Sequence, residues 1–196
     1  MSYETSKCYE KRISLGHFNK YLCGKGIDIG AGADCLTVQD GTVINWDLKD
    51  GNGAELKTIE ENSLNFVYSS HFMEHVKDLN VAIENYKRVL KDKGILYFAV
   101  PDFELYEKSN WPSNYNKDHK HSFSIDIKRE EVQRENHWNI KENLEPLLNK
   151  FNFKVLEYYI EDDNYNYNLD KAIDQTKEKE NMVLAQICII ARKEES

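Results

Sequence analysis

Between Gly26 and Val100 the chain sets down four short apolar runs, and a single amphipathic stretch precedes the last of them. The runs are GIDIG (Gly26–Gly30), VINWD (Val43–Asp47), LNFVYSS (Leu64–Ser70) and ILYFAV (Ile95–Val100). Their brevity and near-continuous apolarity describe strands covered on both faces, and the connections between them are too long for hairpins. The expected architecture is therefore an α/β fold with a mostly parallel sheet. Leu79, Ala82, Ile83, Tyr86, Val89 and Leu90 form one helical stripe, with Gly94 as the natural residue just past its end. Pro101 stops the fourth strand. Phe103–Ser124 is aromatic and polar without periodicity, so a long functional loop is expected there. A helix over Ile140–Phe151 follows, with Pro146 as a local discord. Two more strands, Phe153–Ile160 and Val183–Ala191, bracket an acidic insertion at 161–181, whose centre is expected to hold a short helix.

A chain of 196 residues is enough for one domain with a real core. The reading is a single domain over 1–196, with a cap segment at 1–25 and a substrate loop region at 102–138. The net charge of −8 argues against nucleic-acid binding, because no basic run escapes neighbouring carboxylates. Cys8, Cys23, Cys35 and Cys188 form no CxxC pair and read as reduced, packing thiols. No apolar run approaches the ~18 residues of a membrane span, and the first residues lack a signal-peptide core. A cytoplasmic protein is expected.

In open α/β sheets, ligands bind at the carboxyl ends of the strands. The first strand ends in Gly30-Ala31-Gly32, where missing side chains let backbone N–H groups approach a ligand. The second ends in Asp47, placed to accept hydrogen bonds from a ribose diol, and the third in Ser69, Ser70 and His71. A glycine turn with an acid at the next strand end suits a nucleoside. Phosphates are disfavoured, since no P-loop motif is present and Gly32 leads through Ala33 into Asp34. A nucleoside without phosphates points to S-adenosylmethionine.

GIDIGAGAD, Asp47, NFVYSSHFMEHV, the helix ending RVLKDKG and ILYFAVPD together resemble the class I S-adenosylmethionine-dependent methyltransferases. The loop LYEKSNWPSNYNKDHKHSFSI resembles a narrower bacterial subgroup associated with surface-polysaccharide genes. The resemblance implies a Rossmann-like, seven-stranded sheet whose last strand, Val183–Ala191, inserts antiparallel beside Phe153–Ile160. The stretch between Gly32 and Val43 is too short for the usual first helix, so a compact variant is expected. Transferred by position, Asp28, Gly30, Ala31 and Gly32 border the methionine part of the cofactor, and Asp47 binds the ribose. Leu48 lies beside the adenine, Ala54 and Glu55 edge the purine, and Ser70 and His71 close the floor. In related enzymes an N-terminal segment covers the cofactor, which assigns Arg12 to the methionine carboxylate. The acid usual before Ala54 is Gly53 here.

Two segments also admit metal readings. His71-Phe72-Met73-Glu74-His75 has the H-x-x-E-H spacing of one zinc peptidase group, but it begins at a strand end, where a helix cannot yet hold both histidines. Asp118-His119-Lys120-His121 offers two histidines without a third ligand nearby in sequence. No metal is expected. The second segment reads instead as the acceptor site: methyl transfer to oxygen needs a proton acceptor, and His119, His121 and Asp118 are the catalytic candidates. Tyr106, Trp111 and Tyr115 are candidates for its walls. The functional reading is methyl transfer, with S-adenosylhomocysteine as product, to a small polar or anionic acceptor such as a capsule precursor. A non-catalytic binding module of the same fold is the alternative, and a nicotinamide oxidoreductase the third reading.

Overall fold

The computed structural model describes residues 4–170, 172–177 and 182–195. Its centre is a six-stranded sheet in the order β2-β1-β3-β4-β8-β7. The strands are β1 (Gly24–Ile29), β2 (Gly41–Trp46), β3 (Leu64–Ser70), β4 (Leu90–Pro101), β7 (Phe153–Glu161) and β8 (Gln186–Lys193). Neighbours among β2, β1, β3 and β4 run parallel, whereas β8 is antiparallel to both β4 and β7. The α/β class, the Rossmann-like topology and the antiparallel last strand are as expected. Among the described residues the sheet holds six strands rather than the seven implied by the resemblance. Residues 50–63, between β2 and β3, run as turns, with Leu56 (φ 47°) and Asn62 (φ 50°) bending the backbone left-handed.

Alternation along the strands builds two cores. Ile27, Ile29, Val67, Leu96, Phe98, Val100, Ile187 and Ile189 face one side, under α4 (Leu79–Val89) and α6 (Glu145–Lys150). Phe66, Tyr68, Tyr97, Cys188 and Ile190 face the other, under the N-terminal helices α1 (Glu4–Lys7), α2 (Tyr9–Ser14) and α3 (His17–Lys20). Asp28, between Ile27 and Ile29, therefore points to the second side, where its Oδ2 accepts from Leu36 N–H at 2.7 Å. The segment 31–40 carries no helix, which makes the variant compact as expected.

The helix stripe is buried as its spacing requires, and Asp78 caps α4 by accepting from Asn80 N–H at 2.9 Å. Gly94 is not the residue past its end. The chain already turns extended at Leu90 and takes the left-handed conformation at Lys93 (φ 64°). The stretch 140–151 begins as a π-turn (Ile140–Leu144) before α6, because Pro146 has no N–H to continue a regular ladder. The long loop ends in β5 (Ser122–Ser124), paired in parallel with β6 (His137–Asn139); between these strands, α5 covers Arg129–Val132. The described residues of 162–177 form turns rather than the expected helix, while residues 171 and 178–181 lie outside the described set. No helix among the described residues is long and apolar enough to cross a membrane.

Candidate active site

The carboxyl ends of β1, β2 and β3 meet at one sheet edge. β1 turns through Gly30 (φ 76°) and Gly32 (φ 54°), conformations that disfavour a side chain, and Gly30 N–H donates to Trp46 O at 2.8 Å. This bond holds the glycine turn against the end of β2. Asp47 follows there, with Oδ1 accepting from Leu48 N–H at 2.7 Å. A cavity of about 260 Å³ opens between these ends. Its walls include Gly30, Asp47, Leu48 and His71 from the sequence reading. Ile29, Trp46, Gly51, Gly53, Phe72 and His75 complete it.

Those additional walls arise from packing that no motif spells out. Trp46 Nε1–H donates to Gly51 O at 3.2 Å and folds the 48–53 loop back over the strand end. A Cβ on Gly53 would stand 2.4 Å from Ile29 Cγ2 and 2.8 Å from the Phe72 ring, so only glycine fits. Leu48 stands at the rim with 93% of its surface exposed. Ala54 and Glu55 lie behind this loop, with Glu55 paired to Lys57 at 2.6 Å. Ala31 and Gly32 extend the turn from Gly30, and Ser70 Oγ is buried without a partner among the described residues. A larger open hollow of about 740 Å³ is lined by Asn62, Arg88, Lys91 and Lys193, at the amino ends of β3 and β4. Ligands of open α/β sheets bind at the opposite ends.

Asp28 and Arg12 lie deeper. Burial pushes the Asp28 carboxyl up to about 7, against the lowering effect of the Leu36 N–H bond. Arg12 is wholly buried between the Tyr68 and Tyr97 rings, with Cζ 5.1 and 5.6 Å from their centroids. Its Nη1 donates to Thr5 O at 3.0 Å, while Nη2 and Asp28 Oδ1 have no partner among the described residues.

The third strand end leads into the feature that sequence spacing alone left separated. His71 (φ 54°) turns the chain into a 3-10 turn at Met73–His75. Loop 103–121 folds onto this turn, so that Lys120 N–H and His121 N–H both donate to Glu74 O, at 2.7 and 3.1 Å. His119 is thereby carried to the Glu74 side chain, with Nε2 3.8 Å from Oε1. His75 Nε2 lies 3.7 Å and His71 Nδ1 3.8 Å from the same oxygen. Burial holds His71 and His75 below the usual imidazole range and Glu74 well above the carboxylate range. Tyr106 packs its ring against His71, His119 and Tyr115. Of the other loop candidates, Trp111 stacks under Arg134, and His121 Nδ1 accepts from Trp138 Nε1–H at 3.0 Å. Asp118 keeps its side chain in solvent but accepts from His75 Nδ1–H through its backbone carbonyl at 3.3 Å.

Comparison with known proteins places this edge in context. Residues 25–98 match the family model described as a methyltransferase domain. That match spans β1 to β4 and so covers the whole cavity edge. No curated protein matches the chain. Among solved structures, the chain is similar to an S-adenosylmethionine-dependent methyltransferase from Archaeoglobus fulgidus, at 18% identity and a TM-score of 0.55, covering 98% of this chain and 95% of that one. It is also similar to the YcgJ protein from Bacillus subtilis, at 14% identity and a TM-score of 0.55, with 96% and 100% covered. At 16% identity and a TM-score of 0.54 it matches a putative sarcosine dimethylglycine methyltransferase from Galdieria sulphuraria, with 94% and 84% covered. The solved structures carry the fold, and residues 25–98 carry the match to a methyltransferase domain.

Proposed function

We propose that the protein moves the methyl group of S-adenosylmethionine to an oxygen of a small polar or anionic acceptor held beneath loop 103–121. The observation that carries this reading is the junction of the cavity with the histidine cluster. His71 and His75 line the cavity, and His119 and Tyr106 stand directly behind them. A cofactor in the cavity therefore ends beside the imidazoles of His71 and His75.

On the cofactor side, Asp47 Oδ2 accepts from the ribose diol and Leu48 covers one face of the adenine. Gly30, Ala31 and Gly32 give their backbone to the methionine part, with Asp28 and Arg12 beneath it. Ala54 and Glu55 edge the purine behind the Gly53 turn, and Ser70 and His71 form the floor. Transfer is an in-line displacement: the acceptor oxygen bonds to the methyl carbon as the carbon–sulfur bond breaks, and its electrons stay on sulfur. Holding the two reactants in line supplies roughly 7–11 kcal/mol of the barrier, so few catalytic groups are needed. The acceptor hydroxyl's proton passes to the imidazole cluster, with His119 foremost. Asp118 acts through the carbonyl that orients His75, and His121 supports the loop from behind.

Lys117 and Lys120 are exposed on this loop in a protein of net charge −8, a contrast that favours an anionic acceptor. Within that class we place a nucleotide-activated sugar, a sugar acid, or a phosphate or phosphoramidate group of a surface-polysaccharide precursor. These are cytoplasmic small molecules, and neither nucleic acid nor a membrane enters the reading. The test pairs calorimetry of S-adenosylmethionine and S-adenosylhomocysteine with a screen of such precursors for release of the demethylated cofactor. Binding and turnover of one acceptor class is expected. Cofactor binding without turnover across the panel favours the non-catalytic module, and binding of a nicotinamide dinucleotide alone overturns both.

A further inference from the structure

We propose that Glu74, His75 and His119 form a binding site for one divalent transition-metal ion, with an open coordination position toward the cavity. The inference adds to the proposed function and rests on it only for what the open position faces. Glu74 Oε1, His75 Nε2 and His119 Nε2 all lie within 4.8 Å of one another. Tetrahedral ligands at 2.0–2.2 Å from a zinc ion stand about 3.4 Å apart. The two distances to Glu74, 3.7 and 3.8 Å, lie a few tenths of an ångström beyond this, and the two imidazole nitrogens, within 4.8 Å of each other, draw in as well.

Hydrogen bonding fixes which way each ring presents its lone pair. The outer nitrogen of His75, Nδ1, faces the Asp118 carbonyl at 3.3 Å and must carry the proton. The outer nitrogen of His119, Nδ1, faces Glu107 Oε1 at 2.6 Å and donates to it. Both Nε2 atoms are left as bare acceptors aimed at Glu74. His71 repeats the pattern. Its Nε2–H donates to Gln186 Oε1 at 2.7 Å, since the Gln186 amide nitrogen is engaged with Glu161, and its Nδ1 points at the same Glu74 oxygen.

Three imidazole lone pairs thus converge on a carboxylate whose two oxygens are buried and accept no hydrogen bond among the described residues. At 3.7–3.8 Å the imidazole nitrogens and the Glu74 oxygen are too far apart for a hydrogen bond. A buried carboxylate without a partner is costly, and a cation at the centre satisfies all of these groups at once. Glu107, wholly within the protein, adds the second feature of a metal site: a carboxylate that holds a ligand histidine by its far nitrogen. Two imidazoles and one carboxylate suit zinc and its first-row neighbours better than magnesium.

His75 also lines the cavity, so the remaining coordination position opens there. An acceptor's phosphoryl, carboxylate or hydroxyl oxygen is the ligand it would take, which names the acceptor class by metal affinity as well as charge. In the loaded protein His119 is a ligand, so the proton-accepting role proposed for it belongs to the metal-free protein.

The test strips the full chain with a chelator and titrates it with Zn²⁺ by calorimetry, with visible absorption of the Co²⁺-substituted protein as a second readout. One equivalent of Zn²⁺ and ligand-field bands of a low-coordinate Co²⁺ are expected. His119→Ala and Glu74→Gln should weaken Zn²⁺ binding by at least about 100-fold, and Glu107→Gln by about 10–100-fold. His75, partly exposed, gives His75→Ala as the variant least prone to misfold, and circular dichroism checks each fold. Absence of stoichiometric Zn²⁺ binding, or wild-type affinity in the folded His75→Ala variant, overturns the site. S-adenosylmethionine titration separates the two proposals. Cofactor binding without Zn²⁺ binding sinks this inference alone, and Zn²⁺ binding without cofactor binding upholds it while sinking the proposed function.

Discussion

Asp47→Ala probes the cofactor assignment through a single carboxylate. In the structure Asp47 Oδ1 is engaged by Leu48 N–H at 2.7 Å, and the nearest atom to a Cβ built on Gly32 is Asp47 Oδ2, at 3.9 Å. One oxygen therefore remains for a ribose hydroxyl, and both sit at the cavity wall. A hydrogen bond to a charged acceptor contributes about 1.5–3 kcal/mol, which corresponds to roughly 10- to 150-fold in affinity. Asp47→Ala should weaken S-adenosylmethionine binding by that factor, measured calorimetrically. Asp47→Asn keeps an acceptor for Leu48 N–H and should lose less. Both variants should unfold within a degree or two of the wild type, because the side chain is at the surface edge of the sheet. Unchanged affinity in a folded Asp47→Ala protein refutes the placement of the ribose at β2.

Gly53→Val forces side-chain atoms into Ile29 and Phe72, and overpacking of this kind costs about 1–3 kcal/mol. The expected outcome is a lowered melting temperature together with lost cofactor binding; normal binding would place the ligand away from this wall. Gly30→Val combines a φ of 76° with a Cβ contact of 3.0 Å to Phe72, and should abolish binding while circular dichroism keeps the sheet signature. Asp28 supplies a pH signature. Its folded carboxyl is raised to about 7 from 3.8, so the folded chain holds a proton that the unfolded chain has lost, and stability falls as pH rises from about 4 to about 7. Asp28→Asn should flatten that slope in melting temperature against pH, and an identical slope in the variant would show that other groups titrate.

The strands were legible because each is a continuous apolar run whose length suits a strand and not a helix. Leu64–Ser70 matches its expected limits to the residue, and the α4 stripe buries the residues that its spacing names. What sequence could not supply depended on contacts across elements. No seventh strand joins the sheet among the described residues, and the polar stretch after β2 closes on itself through Trp46 and Gly51. In the site, Gly30, Asp47 and His71 were readable from their positions at strand ends, and Leu48 from the family resemblance. Phe72, Gly53 and Trp46 were not, since they wall the cavity through mutual packing. The metal reading fails in sequence for His71–His75 because the motif begins at a strand end, and for Asp118–His121 for want of a third ligand nearby. Both segments follow adjacent parallel strands, β3 and β4, and so emerge at the same sheet edge. That topological step was the available signal, and it joins His119 to Glu74 and His75 across more than forty residues of sequence.

Why the loop holds His119 at that point follows from how its ends are tied. Asp102 Oδ1 accepts from Glu104 N–H and Leu105 N–H at 2.9 and 2.8 Å, which caps the turn leaving β4. Phe103 N–H donates to Phe123 O at 2.7 Å, so the loop leaves and rejoins the fold at neighbouring points. A loop closed this way has already lost the entropy of bringing its ends together. Inside it, Tyr165 OH donates to Leu105 O at 2.9 Å, and Glu74 O receives the two N–H groups of Lys120 and His121. The backbone of Glu74 thus positions the loop, while its side chain faces the histidine that the loop delivers. These are separate atoms with separate roles. A Glu74→Gln substitution leaves the backbone clamp in place and changes only the group at the centre of the imidazoles. Loss of function in that variant with the loop still packed would therefore report on the chemistry of the cluster and not on the order of the loop.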